Sequence, residues 1–209
     1  KRWNKILMQG AVVCPLAAGI LPWLGGDFNL WVSLSLLLAF WIGAGLVGDL
    51  RLKAEKRSTL WSVVKRQTPS YWGMVLAHLG FAMCIISVVV VTQWNVERDL
   101  RMAPGDVAEL AGYRFEFHGS SGVQGPNYLA DEGVVTVYRQ DKRVAELRPQ
   151  KRQYKASGQV MTEAAIDAGL WRDLYVAMGE SIGSDGAWAM RLHYKPMVRW
   201  MWIGATLIG

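Results

Sequence analysis

The sequence predicts an α-helical membrane protein with three complete transmembrane helices and the start of a fourth, into which a small all-β domain is inserted. Three observations lead there. Four apolar segments punctuate the chain, and a helix needs roughly 20 such residues to cross a bilayer. Between the third and fourth segments, polar and apolar residues alternate in short runs separated by turn signals, the mark of half-buried strands. Charge divides along the same lines: residues 96–197 hold 13 Lys/Arg against 14 Asp/Glu, and the remainder holds 10 against 3. The formal charge of +6 therefore belongs to the apolar parts and their flanks. A basic balance of that origin reflects membrane topology and not nucleic-acid binding.

The first segment, residues 6–24, is uncharged and follows Lys1, Arg2 and Lys5. A secretory signal would have a shorter apolar region and a cleavage site. Here a second span, residues 30–48, comes after the short turn GGDFN, so the pair forms a membrane hairpin over residues 1–49. Pro15 kinks its first helix, which neighbouring helices tolerate. Residues 50–70 then form a basic loop. With Asp49 included, the stretch carries Arg51, Lys53, Lys56, Arg57, Lys65 and Arg66 against two acids. That bias makes it cytoplasmic, like the N-terminus, and two spans between them give the required parity.

The third span, residues 71–95, leads outward with Trp72 and Trp94 placed as an aromatic belt would be. Residues 96–197 are thus non-cytoplasmic, and residues 198–209 begin the returning helix. Within the outer domain, Tyr113, Phe115 and Phe117 alternate with Arg114, Glu116 and His118. Residues 133–140, 143–148 and 187–195 follow a similar style. Six to eight short strands make a small antiparallel barrel or sandwich. Residues 161–168 (MTEAAIDA) are ambiguous, because Ala and Glu favour helix while their surroundings favour strand. Cys14 and Cys84 both lie in apolar runs and form no CxxC pair, so the domain folds without disulfides. The Lys at position 1 and the unfinished last apolar run read as an excerpt of a longer protein.

One residue stands out chemically. His78 sits in the uncharged run YWGMVLAHLGFAMCIISVVVVTQW, where an ionisable side chain is costly and a functional candidate by default. On a helix it shares a face with Met74, Phe81, Ala82 and Ile85, beside a stripe of small residues (Gly73, Ala77, Gly80, Cys84) suited to close packing. Three readings stand: a ligand for a metal or haem iron, a histidine hydrogen-bonded to a neighbouring helix, or a proton relay. A haem ligand on this helix needs a second ligand from the other side of the porphyrin, and Met74 projects from the same side. Cys14, a Met of the first hairpin, another subunit or chain outside this segment are the sources, the last being favoured.

His118 and His193 lie on the polar faces of their strands and read as solvated surface residues. The stretch RPQKRQYK (148–155) reads as a solvated strand-and-turn face, with attraction of an acidic partner or haem propionates as the alternative. Thr162, Glu163 and Asp167 make no convincing acid cluster, and no catalytic residue is identified. No Ser/His/Asp triad, phosphate loop or zinc spacing is visible.

Longer blocks carry a resemblance. TPSYWGMVLAHLG (68–80), NVERDLRM (95–102), GPNY (125–128), MTEAAIDAGLWRDLYVAMGE (161–180) and GAWAMRLHYKPMVRWMW (186–202) closely resemble the C-terminal part of the cytochrome c maturation haem lyase subunit, the CcmF family. The resemblance implies a bacterial inner-membrane protein with its β-domain in the periplasm. It implies covalent attachment of haem to the CxxCH cysteines of apocytochrome c, with a haem chaperone and a thiol-handling maturation subunit as partners beside the membrane lipids. It also implies a b-type haem held between two intramembrane histidines, of which His78 matches one as an axial ligand of the haem iron. The family's Trp-rich WWD loop, its two flanking periplasmic histidines and its second intramembrane histidine are absent from this segment. A scaffold that docks maturation partners, and a haem transporter with His78 as proton relay, are the alternatives.

Overall fold

The computed structural model describes residues 13–16, 18–20, 29–55 and 65–209. Most of the expected first span, the GGDFN turn up to Phe28 and the middle of the basic loop lie outside these residues. Residues 13–16 and 18–20 are helical. Two helices, α1 (Leu30–Glu55) and α2 (Pro69–Trp94), are long and apolar enough to cross a membrane. At about 1.5 Å per residue each reaches roughly 39 Å.

Local chemistry sets the ends of both helices. Asn29 caps α1, its Oδ1 accepting from the amides of Trp31 (2.9 Å) and Val32 (3.4 Å). The expected end near Gly48 is overrun by two turns. Asp49 and Lys53 pair across one turn at 2.6 Å, and the Lys53 cation lies in the last turn, where the helix dipole favours it. Tyr71 of α2 donates to Asp49 Oδ2 at 2.8 Å and places its ring 3.7 Å from Lys53 Nζ, tying the two helix ends together. Before α2, Thr68 Oγ1 accepts from the Tyr71 amide at 3.3 Å and Pro69 takes the first helical position. Ala18, Val32, Leu36 and Val89 form a small buried cluster that joins the first helical segment to α1 and α2.

A third helix, α3 (Val198–Ile208), packs on α2 through the small-residue stripe. A Cβ added to Gly80 would lie 2.5 Å from the Gly204 carbonyl oxygen, and one added to Gly204 would lie 2.7 Å from Cys84 Sγ. Only hydrogen at both positions permits this approach. Cys84 Sγ donates to the Met201 carbonyl (3.3 Å) and the fully buried Ser87 Oγ to the Met197 carbonyl (2.6 Å). The upper stripe behaves differently: Gly73 has open space where a side chain would be.

The second compact unit, Trp94–Pro196, is an antiparallel β-sandwich of ten strands, more than the six to eight expected. They are β1 (Val96–Met102), β2 (Val107–Leu110), β3 (Tyr113–Gln124), β4 (Tyr128–Arg139), β5 (Lys142–Leu147), β6 (Gln150–Tyr154), β7 (Val160–Glu163), β8 (Ala165–Ala168), β9 (Arg172–Ile182) and β10 (Ala187–Pro196). One sheet has the order β1-β10-β9-β8; the other has β2-β3-β4-β6-β7, with β5 also on β4. Phe115, Phe117, Val135, Val137, Leu174, Val176, Met178 and Leu192 are fully buried between them. The ambiguous 161–168 segment is strand on both sides of Ala164, with β7 in one sheet and β8 in the other. Pairing with β6 and β9 overrides the helix preference of its Ala and Glu.

His193 corrects the sequence expectation of a solvated residue. Its side chain is only 16% exposed, because β1 and β9 flank it with Glu97 and Tyr175 in direct register. The Tyr175 ring meets the imidazole edge-on with centroids 6.2 Å apart, and Glu97 Oε2 lies 3.6 Å from Nδ1, outside hydrogen-bond reach. Arg191, Lys195 and Asp99 complete the charged surroundings, and Arg191 grips Asp99 with two bonds of 2.7 and 2.9 Å. Burial pushes the His193 pKa below 6.5, with Glu97 opposing it and Lys195 and Arg191 reinforcing it.

Two outcomes follow. Gly80→Val forces a Cβ into the Gly204 carbonyl and costs about 1–3 kcal/mol, the usual range for overpacking, whereas Gly73→Ala is neutral; thermal melting of the two variants in detergent separates them. For His193, the unfolded chain binds more protons than the folded one between the depressed pKa and 6.5. Its contribution to stability is therefore complete above about pH 6.5 and falls away as pH drops through that value toward the folded-state pKa. Melting the protein across this range shows an acid-side loss that His193→Gln removes.

Candidate functional site

His78 lies in the N-terminal half of α2, nine residues after its first residue and sixteen before its last. Its Nδ1 is 2.8 Å from the Met74 carbonyl oxygen. A carbonyl only accepts, so Nδ1 carries the proton, and in a neutral ring Nε2 then holds the lone pair. The residue is exposed, and Met74, Leu79 and Phe81 beside it are likewise exposed. Ala82, expected on the same face, is buried, as is Val75. The imidazole thus stands at the border between a packed side of the helix and an open apolar one.

One ring nitrogen is thereby committed to the backbone and the other is left open. Ligand imidazoles regularly donate their second N–H to a backbone carbonyl or carboxylate, which fixes tautomer and ring orientation. No group of three or more His, Cys, Asp or Glu side chains converges to hold a metal among the described residues. Cys14 is buried and Cys84 is committed to the α3 seam. His78 is a single donor on an apolar surface.

The other candidates take structural roles. His118 is the extra residue of a β-bulge, between the Phe117–Val135 and Gly119–Val134 pairs, and its Nε2 lies 2.9 Å from the buried Thr136 hydroxyl. The basic stretch 148–155 is largely neutralised by carboxylates. Arg148 binds Glu146 (2.7 Å) and Glu132 (3.2 Å), Lys151 pairs with Glu180, and Arg152 pairs with Glu163 at 3.4 Å. Bonds from Arg148 and Arg143 hold the Glu146 carboxyl below its ordinary pKa. Thr162, Glu163 and Asp167 do not meet as a cluster. Thr162 donates to the Met178 carbonyl (3.4 Å), while Glu163 and Asp167 sit in different sheets with different arginines.

Sequence reasoning missed one arrangement. Tyr113 Oη accepts from Arg172 Nε (3.1 Å) and Arg139 Nη1 (3.4 Å), and both guanidinium groups also approach its ring, at 5.1 and 5.3 Å. Arg172 is held in turn by the Asp167 carboxylate and carbonyl. The three residues come from β3, β4 and β9, and no spacing in the sequence announces them. At the opposite end of the sandwich an open groove of about 490 Å³ is lined by Gln124, Leu129, Asp131, Lys151 and Val160, among others.

Comparisons with known proteins agree with one another. The family described as CcmF C-terminal beta-sandwich matches residues 93–196. The cytochrome c-type biogenesis protein CcmF of Pseudomonas fluorescens is 47% identical over 203 residues, which is 97% of this chain and 30% of that protein. CcmF of Escherichia coli K12 is 40% identical over 191 residues, covering 91% and 28%. Among solved structures, one titled Cytochrome c Heme Lyase CcmF shares the fold with a TM-score of 0.71 at 18% identity, over 95% of this chain and 32% of that one. The chain spans about a third of the length of these relatives. It belongs to the CcmF family of cytochrome c-type biogenesis proteins and corresponds to their C-terminal part.

Proposed function

We propose that this chain is the C-terminal part of a membrane haem lyase of cytochrome c maturation, and that His78 supplies one axial ligand to a b-type haem within the bilayer. The observation that carries the reading is the bond of Nδ1 to the Met74 carbonyl, which commits that nitrogen to the backbone and leaves Nε2 as the ring nitrogen open to a ligand on an exposed apolar face. Met74 and Phe81 offer that face the apolar contacts a porphyrin needs. The names of the CcmF relatives agree with cytochrome c biogenesis as the process.

Bound haem would supply one-electron chemistry, and its potential would be set by its two axial ligands and the polarity around them. The chain's own part is narrower. His78 would hold the iron from one side, the Met74 carbonyl fixes the orientation of its ring, and the apolar helix excludes water. The second ligand lies outside this segment. At about 1.5 Å per residue, His78 is roughly 14 Å from the start of α2 and roughly 24 Å from its end.

Charge bias supports the orientation. Lys53 near the end of α1 and the basic residues that follow it in sequence up to Arg66 belong to the connection between α1 and α2, which the positive-inside rule assigns to the cytoplasm. The sandwich is then periplasmic and the membrane the bacterial inner one, with haem chaperone, apocytochrome c and a thiol-handling subunit as partners.

The test uses the full-length protein. His78→Ala loses most of the Soret absorption of a b-type haem and most of the c-type cytochrome yield, while Leu79→Ala, one residue along, keeps both. Unchanged haem content in the His78 variant overturns the ligand assignment. Normal haem with lost cytochrome moves the function of this segment to docking or transport.

A further inference from the structure

Three side chains converge at one end of the sandwich core. Tyr113 of β3, Arg139 of β4 and Arg172 of β9 stand two residues from the fully buried Phe115, Val137 and Leu174. Strand alternation therefore turns all three toward the space between the sheets. Tyr113 is itself part of the core, at 5% exposure. Its Oη accepts Arg172 Nε at 3.1 Å and Arg139 Nη1 at 3.4 Å, which uses both lone pairs of the phenol oxygen. Its own O–H has no acceptor among the described residues. A buried donor left in that state is costly.

The charges at this mouth do not balance. Arg172 is held by Asp167, through the carboxylate and, at 3.0 Å, the carbonyl. The neighbouring Asp173 is buried and accepts the Gly169 amide at 3.1 Å. Arg139 is exposed and has no carboxylate partner among the described residues, only the Tyr113 hydroxyl and ring. Asp141, two residues on, lies 4.0 Å from Arg114 instead. Elsewhere on the sandwich Arg101, Arg143, Arg148, Arg152 and Arg191 each have a carboxylate. Here two cations share one anion and aim at one phenol oxygen, where they repel each other.

We infer that this mouth is a binding site for a carboxylate, carried by a small free acid or by an acidic residue of a polypeptide. The planar fork of Arg139 keeps most of its N–H groups unspent, and it meets a carboxylate's two oxygens together with the Tyr113 O–H. One negative charge completes the balance of the two arginines against Asp167. A phosphate dianion would bring one charge too many beside that carboxylate.

The test follows the methyl signal of sodium acetate by saturation-transfer NMR with the full-length protein in deuterated detergent, chloride holding the ionic strength constant. The signal saturates with acetate concentration. It falls several-fold in Arg139→Gln and in Tyr113→Phe, while circular dichroism shows the fold retained. Lys155→Gln, which removes an exposed cation at the opposite end of the sandwich, leaves it unchanged. An acetate signal that does not saturate, or that both mouth variants leave intact, overturns the site. Inorganic phosphate displacing acetate at lower concentration than acetate itself binds overturns the choice of a carboxylate. Two further arms identify the carrier. Displacement by N-acetylglutamic acid amide at concentrations like those of acetate supports a polypeptide side chain, and its exclusion supports a small free acid.

Discussion

In an apolar helix, polar side chains have almost nothing to bond to except the backbone, and that constraint organises the helical unit. Cys84 and Ser87 give their hydrogens to α3 carbonyls, while Thr92 and Thr206 turn back to carbonyls of their own helices. The unmet cost of a buried polar group is what directs them there. His78 obeys the same rule with Nδ1. It differs in having a second ring nitrogen, which no carbonyl can satisfy in the neutral tautomer because that nitrogen is an acceptor. The rule that makes the other polar residues structural leaves this one chemically available.

The sandwich was legible where a single strand contains its own signal. The alternation from Tyr113 to His118 separates core from surface, and Tyr113, Phe115 and Phe117 are all buried. Legibility ended where neighbours decide. His193 has the same alternating pattern as His118, but it lies on a strand flanked on both sides, and Glu97 and Tyr175 cover it. Residues 161–168 have helical composition, and only their partners β6 and β9 make them strand. The α1 helix outran its apolar stretch because Asp49 and Lys53 stabilise helix without being hydrophobic.

The site divides in the same way. A lone histidine in an uncharged run is visible in sequence, as is the glycine stripe beside it, of which Gly80 and Cys84 meet α3 while Gly73 does not. The Met74 carbonyl bond that fixes the tautomer is a matter of rotamer and was not visible. The Tyr113–Arg139–Arg172 arrangement was invisible altogether, since it joins three strands across two sheets.

The first and last strands of the sandwich, β1 and β10, are hydrogen-bonded neighbours from Val96↔Tyr194 to Met102↔Trp188. A domain whose two ends are held together in this way behaves as a cassette. It occupies the gap between two helices as a short loop would, because the distance its ends must bridge does not grow with its size. Evolution is then free to enlarge, shrink or exchange the insert while the helices that flank it keep their own sequence and packing.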